Sequence, residues 1–155
     1  MRSTTTLLRL ALLAAVLVAL PASAAAQSEG DLQASYQAHL SSLGLDSFVD
    51  GDGDVRFERE GRNYFIEVNE EDPEFFRLVL FNIWPIESVS ERANVLRAMD
   101  EVNGQLKVVK ANTVGDNVWL SVELFLADPF GYRPLFERSL QVIERAVDVF
   151  VGAMD

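Results

Sequence analysis

The segment best suited to metal chemistry is Asp50-Gly-Asp-Gly-Asp54, in which three carboxylates alternate with two glycines. Carboxylate oxygens at this spacing are ligands that Ca²⁺ prefers, and the EF-hand loop uses a related pattern. That loop also needs glycine at its sixth position and glutamate at its twelfth, where a count from Asp50 gives Val55 and Gly61. We therefore predict a solvated turn, no metal site and folding that does not depend on metal ions.

General acid–base or nucleophilic chemistry would have to use His39, the only histidine in the sequence. Ser41 and Ser42 are close by, but a catalytic triad needs a nucleophile, a base and an orienting group that converge in space. Neighbouring residues of one helix point in different directions, so these three do not converge. We predict that His39 is a packing or surface residue.

The acidic residues give no better guide to catalysis. The chain has 24 Asp and Glu residues, so pairs of carboxylates arise by chance. It contains no cysteine and none of the glycine-rich phosphate-binding, serine-hydrolase or zinc-protease motifs. We therefore predict no catalytic residues, no cofactor and no enzymatic activity.

The charge of the 155-residue chain restricts its partners. Its 24 acidic residues face 13 Lys and Arg residues. Nucleic acids are bound through clustered basic residues, and anionic membrane surfaces attract the same kind of cluster. We exclude nucleic acid and an anionic membrane surface as partners.

Residues 1–26 have the pattern of a secretory signal peptide, with two arginines near the start, an apolar run over residues 10–20 and small residues up to Ala26. The run is shorter than the roughly 20 residues that span a bilayer. We expect cleavage before Gln27 and a periplasmic or secreted protein with no stable membrane anchor. The mature chain, residues 27–155, would be a single domain with 11 basic and 24 acidic residues, a net charge of −13.

Hydrophobic periodicity divides the mature chain into three helices and five strands. The predicted helices cover residues 31–43, 89–103 and 134–154, and the predicted strands cover residues 55–59, 63–68, 74–81, 106–113 and 117–126. The segment 74–81 also fits a helix start, because Asp72-Pro73 resembles an N-cap followed by proline, but its apolar run favours a strand. Gly104 is expected to end the second helix. The strands lie too close in sequence for crossover helices, so we predict an α+β fold with a five-stranded antiparallel sheet flanked by helices, in the order α-βββ-α-ββ-α.

Alternation along the last strand gives the sheet a second face that also carries aromatic residues. Trp119 and Phe125 lie opposite a row of valines and leucines, and Phe65 is on the corresponding side of the second strand. Either helices cover both faces or part of one face meets a partner or ligand. Covering by the chain's own helices, above all the terminal one, is the favoured expectation. As candidate partner-binding residues we take Trp119, Phe125, Phe65 and Trp84.

Residues 72–88, which include the segment Asn82-Ile-Trp-Pro-Ile86, resemble the YbjN family of sensory-transduction regulator domains. Supporting segments follow in the family's order, at residues 98–103, 106–110 and 116–126. The resemblance covers roughly residues 45–150. It implies a fold similar to that of type III secretion chaperones, regulatory or chaperone-like binding of protein partners, and no catalytic residues. The export signal departs from the cytosolic members of the family.

The leading hypothesis is therefore an exported, non-enzymatic protein-binding domain, chaperone- or adaptor-like, that acts in sensory or stress regulation. Its partner would be a client protein or a second copy of the chain. One alternative is a periplasmic sensor domain that binds a small ligand near Trp84 or Trp119, and a more remote one is a carboxylate-based hydrolase. A deep closed pocket with acids of perturbed pKa would favour the hydrolase, whereas an open aromatic groove would favour protein binding.

Overall fold

The computed structural model describes residues 28–155. Within them the helices are α1 (Glu29–Ser42), α2 (Val89–Gln105) and α3 (Phe136–Met154), and a 3₁₀ turn, Arg133–Leu135, precedes α3. The strands are β1 (Ser47–Val49), β2 (Val55–Arg59), β3 (Arg62–Ile66), β4 (Phe75–Pro85), β5 (Val109–Val114) and β6 (Asn117–Phe125). The predicted signal peptide, residues 1–26, lies outside this range. Among these helices, none combines the length and the apolar content that a bilayer span requires.

The strands form one six-stranded antiparallel sheet in the order β1-β2-β3-β4-β6-β5. The α+β class and the antiparallel sheet are confirmed, but the predicted count of five strands is wrong and the element order is α-ββββ-α-ββ-α. The missed strand is β1, which has three residues and no buried one. This strand is defined by its pairing with β2, where Phe48 lies opposite Arg56. It shows no alternation of apolar and polar residues that the sequence could reveal.

Element ends differ from the predictions where the backbone takes unusual conformations. Residues 74–81 are a strand as favoured, but β4 continues to Pro85 because Asn82, with a φ of 55°, takes up a bulge inside it. Gly104 does not end α2, which runs to Gln105. The next strand begins only at Val109, since Val108 has a φ of 63°.

All three helices pack against the same face of the sheet, which we call the inner face. Tyr36 of α1, Val102 of α2 and Phe136 of α3 are buried in one core with Leu80 and Leu120 of the central strands. The opposite face, which we call the outer face, is not covered by any helix of residues 28–155. The expectation that the chain's own helices cover both faces is therefore wrong. The buried side chains of α3 lie in the core on the inner face, so α3 does not cover the outer face.

His39 is a packing residue of this core. Its ring meets those of Tyr132 and Phe136 edge to face, with centroids 5.4 and 5.1 Å apart. Burial lowers the pKa of the His39 imidazole below its usual range, the charge of Arg133 lowers it further, and Glu137 acts in the opposite direction. The neutral ring is therefore the form that the folded protein accommodates.

The Asp-rich segment is the loop between β1 and β2, and its carboxylates bind the protein itself. Asp50 Oδ1 accepts hydrogen bonds from the backbone N–H groups of Asp52 and Asp54 at 3.0 and 3.1 Å, and Oδ2 pairs with Arg56. Asp54 Oδ1 accepts from the N–H of Val68 at 3.0 Å. Asp50 and Asp54 therefore bind backbone donors and an arginine of the protein itself, whereas the Asp52 carboxylate is exposed.

Removal of metal ions should leave the stability of the fold unchanged, whereas loss of the Asp50 carboxylate should reduce it. Asp50→Ala leaves two N–H groups and Arg56 without their acceptor, which should lower the free energy of unfolding by about 1–3 kcal/mol. Urea melts would measure this, with Asp52→Ala as the control in the same turn, because the Asp52 carboxylate is exposed. Melts with and without EDTA should coincide. A fall of several degrees on chelation would contradict the metal-independent fold.

The stability should also fall as pH falls through the range just below the unfolded-state pKa of histidine, about 6.5. The depressed pKa of His39 means that the unfolded chain binds this proton more readily than the folded one, so protonation favours unfolding. Melts at pH 7.5 and 5.5 should show a larger loss for the wild type than for His39→Gln. Equal losses in the two proteins would show that His39 does not contribute.

Candidate functional site

The outer face is ordered by the register of the strands. One row crosses five strands at matched positions, and its members are Phe48, Arg56, Phe65, Val79 and Ser121. Val79 and Phe65 are buried although they lie outside the core under the helices. Side chains of the outer face therefore shield one another, without a helix above them.

An aromatic cluster provides most of this shielding. Its members are Phe65, Phe81 and Trp119, whose ring centroids lie 5.8–6.0 Å apart. Phe65 is 5% exposed beneath the other two rings. The Trp119 indole Nε1–H donates to Asn82 Oδ1 at 3.0 Å, so the residue that forms the bulge of β4 also fixes the indole.

Arg56 lies over this cluster. Its guanidinium carbon is 4.6 Å from the centroid of the Phe81 ring and 5.6 Å from that of Phe65, within cation–π range. The same guanidinium forms an ion pair with the Asp50 carboxylate through its Nε. The Asp-rich turn is therefore connected to the outer face, where it positions a cation over aromatic rings.

The centre of the outer face carries ion pairs. Arg77 lies between Glu67 and Glu123, at 2.6 and 3.4 Å, and Lys110 also pairs with Glu123. Burial alone would raise the pKa of the Glu123 carboxyl, but hydrogen bonds from Lys110 and Ser121 and the charge of Arg77 outweigh it and hold the pKa below its usual range. Glu123 is thus an ionised ion-pair residue and not a general acid. No group of three or more metal-ligating side chains occurs within residues 28–155.

Two aromatic residues remain exposed at separate ends of the outer face. Phe125, at the end of β6, is 85% exposed, and its ring lies 5.4 Å from that of Phe75 between centroids. Phe48, on the edge strand β1, is 60% exposed and borders an open groove of about 390 Å³ together with Arg56 and Phe81. Large aromatic side chains in such positions are typical anchors of protein interfaces.

The structure places three of the four predicted partner-binding residues on the outer face and brings two of them, Phe65 and Trp119, into contact. Phe125 is the third, but Phe65 is buried and cannot touch a partner directly. Trp84 lies on the opposite side of the sheet, where its ring packs against Phe150 at 5.8 Å. Its Nε1–H donates to the carboxylate of Glu91 at 2.9 Å.

The predicted strand ends at residue 81, so it places Trp84 on neither face. The register between β4 and β6 shifts by two residues between Leu80 and Trp84, and Trp84 therefore keeps the inner side of Leu78 and Leu80. Asn82 is the one sequence signal for this bulge, since asparagine tolerates a positive φ better than most residues. Sequence reasoning also missed Arg56, Phe81 and Phe48, the first two because a cation over aromatic rings is a contact between strands.

Comparison with known proteins agrees with this fold. Residues 30–151 match the family model TY-Chap1, described as T3SS (YopN, CesT) and YbjN peptide-binding chaperone 1. The chain is similar to the crystal structure of YbjN from E. coli, with a TM-score of 0.57 at 15% identity over 77% of this chain and 89% of that one.

A second similar structure is the Yersinia pestis type III secretion chaperone SycH in complex with a stable fragment of YscM2. Its TM-score is 0.47 at 16% identity, over 76% of this chain and 98% of that one. No curated protein matches the sequence significantly. The resemblance to YbjN in the sequence is confirmed by the family match, which extends across nearly all of the described residues, and the chain belongs to the TY-Chap1 family of T3SS and YbjN peptide-binding chaperones.

Proposed function

We propose that this protein is an exported, non-enzymatic binding domain that holds segments of client proteins on its outer face, as a chaperone or adaptor in sensory or stress regulation. The observation that carries the proposal is a sheet face that keeps Phe125 and Phe48 in water while all three helices pack on the other side. The description of the family as peptide-binding chaperones supports the same activity.

The energetics of the outer face favour an apolar or aromatic client segment. Burial of one phenylalanine side chain stabilises a complex by roughly 1.5–3 kcal/mol. The cluster beneath is already fixed by the Arg56 and Asn82 contacts, so little order has to be imposed on binding. Arg56 adds a cation that could lie against an aromatic ring of the client.

The proposed site of action is the periplasm or the exterior of the cell. The signal-peptide pattern of residues 1–26 supports export. A fold that closes its core without cysteines needs no disulfide in an oxidising compartment. The strongly acidic mature chain favours solubility and disfavours nucleic acid as a partner.

Export predicts a defined N-terminus. When the full-length chain is expressed in a Gram-negative host, the protein recovered from the periplasmic fraction should begin at Gln27, because small residues precede that position. N-terminal sequencing checks this, and a variant with Leu13→Arg and Val16→Arg in the apolar run should stay in the cytoplasm. Folded protein that still begins at Met1 would contradict export by cleavage.

Capture of client protein should depend on the exposed aromatic anchors. Phe125→Ser with Phe48→Ser should reduce the protein captured from periplasmic extract at least tenfold, while the melting temperature stays unchanged because both rings are already in water. Val89→Ser is the matched control, since Val89 is 89% exposed at the start of α2 on the helix side.

Trp119→Ala, by contrast, should lower the free energy of unfolding by about 1–3 kcal/mol, because it removes packing over Phe65.

Undiminished capture by the double variant, or an equal loss in Val89→Ser, would overturn the outer face as the client site. Gel filtration of the purified protein separates client capture from self-association. If the double variant converts a dimer to a monomer, the outer face is an interface between two copies of the chain.

A further inference from the structure

A second groove, lined mainly by apolar residues, lies on the helix side of the sheet. It has a volume of about 540 Å³ and is enclosed by the end of α2, the loop before β5, β6 and the first half of α3. Its apolar lining comes from six side chains: Leu106, Val108, Val122, Leu124, Leu135 and Val142. We call it the cationic groove because all of its charged lining residues are basic.

Lys107, Arg138 and Arg145 are the charged residues that line this groove, and no acidic residue lines it. This composition is notable in a chain with 24 acidic residues. None of the three cations is within ion-pair distance of a carboxylate of residues 28–155, whereas six other Lys and Arg residues are.

The helix α3 separates its charges by side. Glu137 and Glu144 lie on one flank, where both approach Arg59 of β2, at 3.2 and 3.8 Å. Arg138 and Arg145 lie on the flank that lines the groove. Glu137 and Glu144 are thus engaged with Arg59, and Arg138 and Arg145 face the groove.

Val108 marks the mouth of the groove. Its φ of 63° is in the left-handed region, which β-branched residues rarely adopt. Its side chain is nevertheless 57% exposed, so burial in the core does not compensate for the strain. Backbone strain of this kind is concentrated at binding sites, where the surrounding structure maintains it.

The spacing of the cations defines the ligand. Arg138 and Arg145 are seven residues apart, which is about 10 Å along a helix. A ligand with one carboxylate, such as a fatty acid, could neutralise only one of them. We propose that the cationic groove binds a protein segment that carries both acidic side chains along its length and apolar side chains that enter the groove. This inference rests on the proposed function in that the ligand is a protein segment, but it concerns a different surface.

The net negative charge of the protein opposes the binding of an acidic segment. The mature chain as a whole repels anions, so an acidic segment can bind only through the local field of these three cations. Because ionic screening acts over about 10 Å at 0.1 M salt, affinity should fall as salt is raised from 50 to 300 mM.

The test uses three labelled 12-residue peptides with one shared pattern of leucines and with Glu, Ser or Lys at every other position. Fluorescence anisotropy with the purified protein should give at least tenfold tighter binding for the Glu peptide than for the Ser peptide, and the weakest binding for the Lys peptide. Arg138→Glu with Arg145→Glu should reverse this order. Both residues are exposed, and a thermal melt verifies that the variant is folded.

Arg62→Glu is the matched control, because Arg62 of β3 has the same charge and does not line the groove. It should keep the wild-type order, and so should Phe125→Ser, which removes only an outer-face anchor. Equal affinity for the three peptides, or an unchanged order in the double variant, would overturn the proposal. Binding of sodium dodecanoate without binding of the Glu peptide would also overturn it in favour of a lipid-like ligand. None of these results decides whether the outer face captures client protein, which the Phe125→Ser with Phe48→Ser variant measures separately.

Discussion

The two-residue period of the central strands determines the architecture of this protein. Every second side chain of β4 and β6 must point away from the core. The three helices cover one side only, because their buried apolar residues all pack against the inner face. The outward residues must therefore be satisfied by one another, and the aromatic cluster, the Arg77–glutamate pairs and the exposed Phe125 are three outcomes of that single constraint.

The Asp-rich turn shows how a polar loop can contribute to an apolar surface. Asp50 satisfies its own backbone and holds Arg56, and Arg56 then covers Phe81 and Phe65. A guanidinium held in this way loses less freedom when a partner arrives than a solvated one would. A segment that resembles a metal loop in sequence thus positions a cation over the aromatic rings of the outer face.

The sequence was sufficient where the governing interactions are local. Apolar spacing located the three helices, and alternation placed Trp119 and Phe65 on one face, because both signals depend on side chains within one element. It was insufficient where an element depends on its neighbour, as β1 depends on β2. It was also insufficient where one residue leaves the usual backbone region, as Asn82 does inside β4, beyond the predicted strand end at residue 81. The cationic groove could not be predicted at all, because its lining residues come from three separate stretches of the chain, within residues 105–108, 122–124 and 135–145.

The outer face and the cationic groove differ in chemistry but meet at the end of β6. The pairing of β5 with β6 begins at Val122, so the last residues of β6 are hydrogen-bonded to β4 alone. There Leu124 points into the groove, and its neighbour Phe125 points to the outer face. An extended segment that follows this open edge presents alternate side chains to the two sides, as a strand does. A client with apolar residues on one side and acidic residues on the other would therefore match both surfaces at once, and two weak contacts joined by one short segment bind far more tightly than either contact alone.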